Sequence, residues 1–284
     1  MNNPVLEVFA EDFVFLEGPR WHDGRLWLSD MWGHTVWALS TDGSREAMAK
    51  VTNRPSGLHF LPDGRLVIVS MADRKLLVRG EDGALTEYAD LSALAPADIN
   101  DCVGDSAGNL YVGNFGYDLF SGEDAKLANL VRVAADQSAS VVANDMNFPN
   151  GSVIADNGAT LICAETFANR LTAFDIDASG SLSNRRVWAE MGDHTPDGIC
   201  LDQEGAVWVS SFGAGQFLRV IEGGKIDQQI EAPRKRAVAC NLGGEDGCTF
   251  FALTYEGEIE DIASGARNAR VETCRVSVPG AGSP

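Results

Sequence analysis

Four side chains that carry oxygen ligands stand at comparable places in the sequence, each ahead of a glycine turn that leads into an apolar run. They are Glu17, Asn100, Asn150 and Asp197. Two carboxylates and two amides offer only oxygen atoms, which suits a hard divalent cation such as Ca²⁺, Mg²⁺ or Mn²⁺ and leaves room for water. The sequence therefore predicts one metal site, provided that the fold brings these four residues together.

Asp197 is the acidic residue whose backbone is most tightly placed. It lies within Pro196-Asp197-Gly198, where proline restricts the backbone before the carboxylate and glycine permits a sharp turn after it. Asn150 has the same neighbours, Pro149 and Gly151. Such tripeptides are also ordinary β-turns, so a plain turn is the alternative at each position, and the recurrence is what favours a site.

Other chemistries lack their motifs. The four histidines do not have the spacing of a helical zinc-protease site, although His194 is close enough to Asp197 in sequence to border the metal site. Ser56 precedes a glycine but lies in no Gly-x-Ser-x-Gly elbow. The sequence also contains no Gly-x-Gly-x-x-Gly or other phosphate-binding glycine loop.

The elements that position these residues come from a repeated unit, a glycine turn followed by a short β-prone run. The turn glycines fall at positions 24, 64, 108, 158, 205 and 247, so successive copies are 40, 44, 50, 47 and 42 residues apart. A further strand usually follows each copy after a short polar break. Repeats of this length with several short strands are typical of β-propeller blades. We therefore predict an all-β, six-bladed β-propeller that forms a single domain over residues 1–284.

Ring closure and one insertion complete the predicted architecture. An open sheet edge invites aggregation, so we expect residues 5–10 and 271–278 to form strands of the same blade. Residues 118–129 form the longest polar insertion. Such a loop is either a lid over a site or an idle surface loop. In a propeller, loops at one end of the central channel face each other, so residues from different blades can meet there.

Charge and composition limit the partners. The 41 acidic residues outnumber the 22 basic ones and give a formal charge of −19, which would repel nucleic acid and anionic membrane surfaces, although solubility alone also accounts for it. The beginning of the chain lacks a signal-peptide pattern, and no apolar stretch reaches about 18 residues. The six cysteines form no Cys-x-x-Cys pair. We expect a cytoplasmic protein that binds neither nucleic acid nor membranes.

Several motifs, in this order, resemble the regucalcin-like SMP-30/gluconolactonase/luciferin-regenerating-enzyme family from about residue 13 to about residue 254. They are Leu16-Glu17-Gly18-Pro19-Arg20-Trp21, Asn100-Asp101, Phe148-Pro149-Asn150-Gly151, Ser183-Asn184-Arg185-Arg186, and Thr195-Pro196-Asp197-Gly198-Ile199 through Trp208-Val209. The resemblance implies a six-bladed propeller with one divalent metal in the central channel, Ca²⁺ first and Mg²⁺, Mn²⁺, Zn²⁺ or Fe²⁺ as alternatives. It also implies that Glu17, Asn150 and Asp197 are the protein ligands.

The resemblance assigns two roles to Asn100. The matching residue binds substrate in lactonases and binds the metal in the related phosphotriesterases of the diisopropyl-fluorophosphatase type. One position departs from the pattern, because sugar lactonases usually carry an arginine two residues before this asparagine and this chain has Asp98. An anionic group in place of a cationic one disfavours polyhydroxylated or acidic lactones. It favours a neutral, less hydroxylated or more apolar lactone.

These observations lead to the hypothesis of a metal-dependent hydrolase of a lactone or related ester. Asp197, Asn100 and Asp98 are the candidate catalytic residues; Asp197, Asp98 or Asp101 could be the general base. The candidate substrate-binding residues are Asn100, Asp98, Trp32 and Phe115, with Phe167 and Phe212 as further walls, although these aromatics could also serve blade packing. The alternatives are a non-catalytic propeller that binds metal or protein, and a phosphotriesterase-like hydrolase.

Overall fold

The computed structural model of the protein describes residues 4–282. These residues form 24 β-strands and four short 3-10 helices, and the strands assemble into six four-stranded antiparallel sheets. The prediction of an all-β, six-bladed β-propeller is therefore confirmed. That residues 1–284 form one domain stays a prediction. Among the described residues, no helix is long and apolar enough to span a membrane.

The strands follow the chain blade by blade. The first strand, β1, spans Glu7–Phe13. Blade 1 contains β2 (Leu16–His22), β3 (Arg25–Asp30), β4 (Thr35–Leu39) and β5 (Arg45–Lys50). Blade 2 contains β6 (Pro55–Phe60), β7 (Leu66–Ser70), β8 (Lys75–Arg79) and β9 (Leu85–Asp90). Blade 3 contains β10 (Ile99–Gly104), β11 (Leu110–Asn114), β12 (Ala128–Val133) and β13 (Ala139–Met146).

The second half of the chain continues in the same way. Blade 4 contains β14 (Pro149–Ala155), β15 (Thr160–Glu165), β16 (Arg170–Ile176) and β17 (Leu182–Glu190). Blade 5 contains β18 (Pro196–Leu201), β19 (Val207–Ser211), β20 (Gln216–Ile221) and β21 (Lys225–Glu231). Blade 6 contains β22 (Arg236–Gly243), β23 (Thr249–Tyr255), β24 (Ala269–Arg275) and β1. The 3-10 helices are Leu119–Ser121, Asp156–Gly158, Thr166–Ala168 and Ile259–Ser264.

Blade 6 is completed by the N-terminal strand. β1 lies at the outer edge and pairs antiparallel with β24, with Glu7 opposite Thr273 and Phe13 opposite Ala269. This pairing confirms the shared blade expected for residues 5–10 and 271–278, with strand bounds of Glu7–Phe13 and Ala269–Arg275. Closing the ring in this way leaves no open joint between the first and last blades.

The amino-acid pattern of each strand follows from its place in the blade. The second strands are covered by neighbouring blades, so β7 is buried at all five positions and reads as a continuous apolar run. Val153 of β14 and Val207 of β19 belong to one buried cluster that joins blades 4 and 5. The six turn glycines found in the sequence connect first and second strands, and all have positive φ, between 71° and 97°.

Every innermost strand contains a β-bulge or irregularity near its first residues. The register shifts fall between Glu17 and Arg20, Pro55 and Leu58, Ile99 and Cys102, Pro149 and Ser152, Pro196 and Ile199, and Ala237 and Ala239. A bulge bends a strand and re-aims its side chains. The four candidate ligands lie at or within these irregularities, which is why they share one blade position.

Candidate functional site

A cavity of about 360 Å³ lies where the innermost strands of the blades begin. Glu17, Asn100, Asn150 and Asp197 all line it, although they come from blades 1, 3, 4 and 5. Each is buried, with 4–8% of its surface exposed. The structure thus brings together the four residues that the sequence singled out. Their roles stay predictions.

The glycine after a candidate ligand allows neighbouring innermost strands to approach closely. A Cβ atom added to Gly198 would lie 2.4 Å from Ala239 Cβ in blade 6. One added to Gly151 would lie 2.6 Å from the backbone nitrogen of Ile199 in blade 5. Neither contact is sterically allowed, so glycine is required at both positions. The Asn-Gly and Asp-Gly pairs therefore combine a polar side chain with the tight packing of strands around the channel.

Hydrogen bonds orient the two amides. Asn150 Nδ2 donates to Thr166 Oγ1 (3.3 Å), and Thr166 Oγ1 donates in turn to the carbonyl of Pro196 (2.8 Å). This chain of bonds joins blades 4 and 5 and leaves the Asn150 carbonyl oxygen for a ligand. Asn100 Oδ1 accepts a bond from Ser56 Oγ (3.3 Å). Ser56 occupies the equivalent bulge in blade 2. Blades 2, 4 and 5 therefore supply the hydrogen-bond partners that orient these amides.

The two carboxylates of the set lie where ionisation is costly. Burial raises the pKa of Glu17 well above its usual range, and the negative charges of Asp197 and Asp101 raise it further. Burial also raises the pKa of Asp197, against a hydrogen bond with Asn150 that lowers it. Arg20 acts on Glu17 in the opposite direction, but its guanidinium is bound to Asp101 at 2.9 Å. A divalent cation would relieve this repulsion, so the residues present fit a hard metal ion.

The candidate set depends on amides as well as acids. Within residues 4–282, no group of three or more carboxylate, thiol or imidazole side chains is arranged to hold a metal. Glu17 and Asp197 are the only two acids among the four predicted ligands, and the other two are amides. The set therefore relies on neutral oxygen donors, which Ca²⁺ accepts readily.

Asp101, an alternative general base, is engaged in its own contacts. Its Oδ1 accepts bonds from Arg20 Nη2 (2.9 Å) and from the backbone nitrogen of Cys102 (2.8 Å). Burial raises the pKa of Asp101, while Arg20 lowers it. Asp101 is not among the residues that line the cavity. Asp101 acts on the site through its negative charge, which raises the pKa of Glu17 and of Asp197.

Asp98 is also paired, and it lies beside the cavity rather than in its wall. Asp98 Oδ2 is 2.5 Å from Arg54 Nη2, and both side chains are mostly buried. Burial raises the pKa of Asp98, and Arg54 lowers it. The Arg54 guanidinium also lies over the rings of Trp32 (5.0 Å) and Phe120 (4.6 Å). Asp98 is thus part of a small cluster of charged and aromatic residues.

The walls of the cavity are largely apolar. Phe115, Phe167 and Phe212, which the sequence offered as walls, line it. Trp32 stands one layer behind, with its ring 5.5 Å from that of Phe120, which does line the cavity. His194 lies apart from the wall, and its Nδ1 is 3.0 Å from Ser211 Oγ.

The polar insertion at residues 118–129 contributes part of the wall. It begins with the 3-10 helix Leu119–Ser121, which Asp118 caps by accepting bonds from the Ser121 backbone nitrogen (3.0 Å) and hydroxyl (2.7 Å). Leu119 and Phe120 line the cavity. This position agrees with the first of the two alternatives for the insertion, a lid over the site, rather than with an idle surface loop.

Comparison with known proteins decides the family. Residues 15–255 match the SMP-30/Gluconolactonase/LRE-like region. The chain belongs to this family. It is 28% identical over 244 residues to regucalcin of Danio rerio, covering 81% of this chain and 79% of that protein. It is 24% identical over 247 residues to a pentonolactonase of Haloferax volcanii, covering 85% and 82%.

A solved structure of the SMP-30/Gluconolactonase/LRE-like family supports the same architecture. The crystal structure of regucalcin from Agrobacterium tumefaciens, described as a calcium-binding protein, superposes with a TM-score of 0.83 at 22% identity. The alignment covers 100% of this chain and 96% of that one. At this identity the likeness establishes the shared propeller fold. The family includes lactonases as well as regucalcins.

One of the family motifs in this chain has a structural role. Within Ser183-Asn184-Arg185-Arg186, Arg185 Nη2 lies 3.1 Å from the fully buried Glu165, and its Nη1 donates to the carbonyl of Asn144 (2.9 Å). Arg170 and Thr172 also bind the Glu165 carboxylate. This network ties the outer strand of blade 4 to its second strand and to blade 3. It explains the motif without a part in the chemistry.

The sequence analysis did not predict several of the residues that line the cavity. They are Phe15, Met31, Met71, Leu119, Phe120, Phe148, Thr166, Thr195, Gly213, Arg236, Ile259 and Ile262. Phe148 and Thr195 stand inside quoted motifs, and Thr166 directly precedes Phe167, so position along the repeat could have found them. Arg54 had no comparable signal, because its importance comes from contacts with residues far away in sequence.

Proposed function

We propose that this protein is a divalent-metal-dependent hydrolase of a lactone or related ester. The observation that carries the proposal is the convergence of Glu17, Asn100, Asn150 and Asp197 on one buried cavity with apolar walls. Membership of a family that includes lactonases supports the same reaction class. The walls favour a neutral, sparsely hydroxylated substrate, because apolar side chains cannot satisfy many hydroxyl groups.

Glu17, Asn150 and Asp197 are the proposed protein ligands of one divalent cation, Ca²⁺ in the first place, with Asn100 beside them. When bound, such a cation polarises the substrate carbonyl and stabilises the negative charge that develops on its oxygen. Asn100 accepts from Ser56 through its oxygen, which leaves its amide N–H₂ group as a donor to the substrate.

Asp197 is the proposed general base. It is a buried carboxylate that lines the cavity beside the other predicted ligands, and a general base must lie within reach of the water that it deprotonates. Asp197 takes a proton from the attacking water, whose oxygen bonds to the carbonyl carbon. The carbon–oxygen ester bond then breaks, and the departing alkoxide receives the proton, so the net reaction adds one water. Asp98 and Asp101 are weaker candidates for this role because each is bound by an arginine.

The proposed setting is the reducing cytoplasm. All six cysteines, which lie within the described residues, are free thiols, as is usual in that compartment. The expected partner is a small lactone or ester, with no nucleic acid or membrane involved.

A panel of lactones, aryl esters and a phosphotriester tests this function, with Ca²⁺, Mg²⁺ or Mn²⁺ added and with chelator. We expect lactone or ester turnover that chelation removes. Glu17→Gln and Asp197→Asn should lower kcat/KM by about a hundredfold or more, as loss of an electrostatic group at a reacting centre does. Asp23→Asn is the matched control, because the Asp23 side chain is 87% exposed.

Three outcomes would contradict the proposal. Turnover of the phosphotriester alone would indicate the phosphotriesterase-like alternative. Metal binding without turnover of any compound would indicate a non-catalytic propeller. Lactone turnover that chelation and both variants leave unchanged would remove the metal site from the mechanism.

A further inference from the structure

We propose that the outer part of the cavity binds an apolar alkyl or aryl substituent of the substrate, and that Arg54 sets this selectivity by holding Phe120 over the cavity. The placement of the reacting group beside the polar ligand set, which we call the floor of the cavity, rests on the proposed function. The apolar site is argued from separate observations. In this proposal Phe120 contacts the substrate and Arg54 is a positioning residue.

The rim of the cavity exposes large apolar side chains. Phe120, Phe167 and Ile259 line the cavity and are nevertheless 42%, 48% and 49% exposed. Each stands on a 3-10 helix, in segments that follow strands of blades 3, 4 and 6. Exposed apolar groups that gather around one opening mark a binding site, because a ligand that covers them removes apolar surface from water.

An aromatic wall connects this rim to the interior. Phe148 stacks on Phe115 with ring centroids 4.4 Å apart, and its ring is 4.7 Å from that of Phe167. The first two rings are buried and the third is half exposed. The polar ligand set lies at the start of the innermost strands. A fitting ligand therefore has one polar, carbonyl-bearing end for the floor and an apolar part that extends toward the rim.

Arg54 fixes one side of the rim from behind. Its guanidinium lies over the Phe120 ring at 4.6 Å and over the Trp32 ring at 5.0 Å. Those two rings meet edge to face at 5.5 Å. Arg54 Nη2 is bound to Asp98, so the charge of the guanidinium is compensated while its Cζ atom lies over both rings. Cation–π contacts of this kind hold an aromatic side chain in place.

The cavity has the size of a site for a small substituted ring. Its volume of about 360 Å³ falls at the lower end of the range of about 300–1,000 Å³ that is typical of small-molecule sites. A six-membered lactone with a short alkyl chain fits this description. A polyhydroxylated lactone would place several of its hydroxyl groups against phenylalanine and isoleucine side chains, which cannot form hydrogen bonds with them.

Turnover of matched lactones by the 284-residue chain, loaded with Ca²⁺, is the first test. We expect kcat/KM for δ-decalactone, which carries a pentyl chain, to exceed that for δ-valerolactone by about tenfold or more, since methylenes in an apolar pocket have effects of this size. D-Glucono-δ-lactone should be the poorest of the three. Equal kcat/KM for the two alkyl lactones would overturn the proposal.

Binding of ketones separates this inference from the proposed function. 3-Pentylcyclohexanone and cyclohexanone have a carbonyl but no ester bond, so they report on the cavity without hydrolysis. We expect calorimetry to show about tenfold tighter binding of the pentyl compound. If no lactone is hydrolysed and this preference persists, the apolar site stands and the proposed function falls. If lactones are hydrolysed but the pentyl chain improves neither turnover nor binding, the apolar site falls.

Variants assign the selectivity to its residues. Phe120→Ala and Arg54→Lys should each reduce the ratio of kcat/KM for δ-decalactone to that for δ-valerolactone by about threefold or more, mainly through KM. Phe120→Leu should restore part of the ratio. Arg54→Lys keeps a positive charge beside Asp98 and removes the flat guanidinium. Ile226→Ala is the control, because Ile226 is 41% exposed on an outer strand away from the cavity, and it should match the wild type.

Two patterns would contradict the assignment. A wild-type ratio in Phe120→Ala would remove Phe120 from the substituent site. A wild-type ratio in Arg54→Lys, together with a reduced ratio in Phe120→Ala, would keep the apolar site and reject Arg54 as the residue that sets it.

Discussion

Arg54 Nη2 and Asp98 Oδ2 are 2.5 Å apart, and this contact joins the segment before β6 to the segment before β10. It changes the role expected for the aspartate at position 98. Sugar lactonases of the family usually have an arginine there, and the aspartate of this chain led us to expect an anionic group facing the substrate. A guanidinium from the preceding blade accompanies it instead. The apolar wall, rather than an uncompensated negative charge, now carries the argument for an apolar substrate.

The Arg54–Asp98 pair should be energetically coupled. The two side chains are only 14% and 22% exposed, so removing one leaves a poorly solvated charge without its partner. Arg54→Ala and Asp98→Ala should each lower the free energy of unfolding by about 1–3 kcal/mol, and the double variant should lose about 1 kcal/mol less than the sum. Urea denaturation of the four proteins measures this coupling. Additive losses would show that the contact contributes nothing.

The fold was predictable where the strand environment leaves a pattern. Second strands are buried over nearly all of their length, and β19 is buried at all five positions, so their apolar runs and the preceding turn glycines reveal the blades. Outer strands such as β5 expose several positions and carry charged residues, so they have no comparable signal. The number of blades therefore followed from the repeats, and the outer strand of blade 6 followed from ring closure, whereas the outer strands of the other five blades were not predicted.

The site was predictable only in part, for a related reason. Glu17, Asn150 and Asp197 repeat one blade position, so comparison of the copies finds them. Arg54 and Phe120 have no such periodicity. Arg54 lies 44 residues before Asp98, and Phe120 stands in an otherwise polar insertion. Their contacts arise from the closed ring of blades, which no local pattern encodes.

Metal affinity should fall as the pH is lowered. Burial raises the pKa values of Glu17 and Asp197 in the protein without metal, and nearby negative charges raise them further, that of Asp101 for both and that of Asp197 for Glu17. Protons therefore compete with a cation for both carboxylates. Ligands must be deprotonated to bind a metal. Below the raised pKa values, each displaced proton weakens binding by about tenfold per pH unit.

Calorimetric titration with Ca²⁺ between pH 8 and pH 5 measures this competition. We expect proton release on binding, which buffers of different ionisation enthalpy reveal. Glu17→Gln removes one of the two acids and should reduce the number of protons released, in addition to weakening the affinity. A Ca²⁺ affinity that does not change with pH would show that these carboxylates are not the ligands.

His59 should make the fold sensitive to mild acid. Burial lowers its pKa to about 4, with Arg20 and His22 acting in the same direction and Asp105 opposing them. The unfolded chain binds this proton more tightly, with a pKa of about 6.5. Stability from the neutral imidazole is therefore present above about pH 6.5 and is lost as the pH falls toward 4, by up to about 3 kcal/mol.

The difference between wild type and His59→Gln isolates this effect from the other titrating groups. Urea denaturation at several pH values should show the wild type losing more stability than the variant between pH 7 and pH 4. Parallel pH profiles for the two proteins would mean that His59 has an ordinary pKa in the folded state.

The glycines behind the candidate ligands should be far less replaceable than the turn glycines. A Cβ atom at Gly198 would lie 2.4 Å from Ala239 Cβ and 2.6 Å from Ala239 Cα, whereas one at Gly205 would have no atom within 4 Å. Gly198→Ala must push two innermost strands apart and should lower the free energy of unfolding by about 1–3 kcal/mol through overpacking. Because Asp197 is the adjacent residue, the same shift should also weaken Ca²⁺ binding.

Gly205→Ala is the control. It meets only the strain of a φ of 78°, about 1 kcal/mol, and should keep the Ca²⁺ affinity of the wild type. Denaturation and calorimetry of the two variants separate these effects. Equal Ca²⁺ affinity in both would show that close packing at Gly198 does not position Asp197.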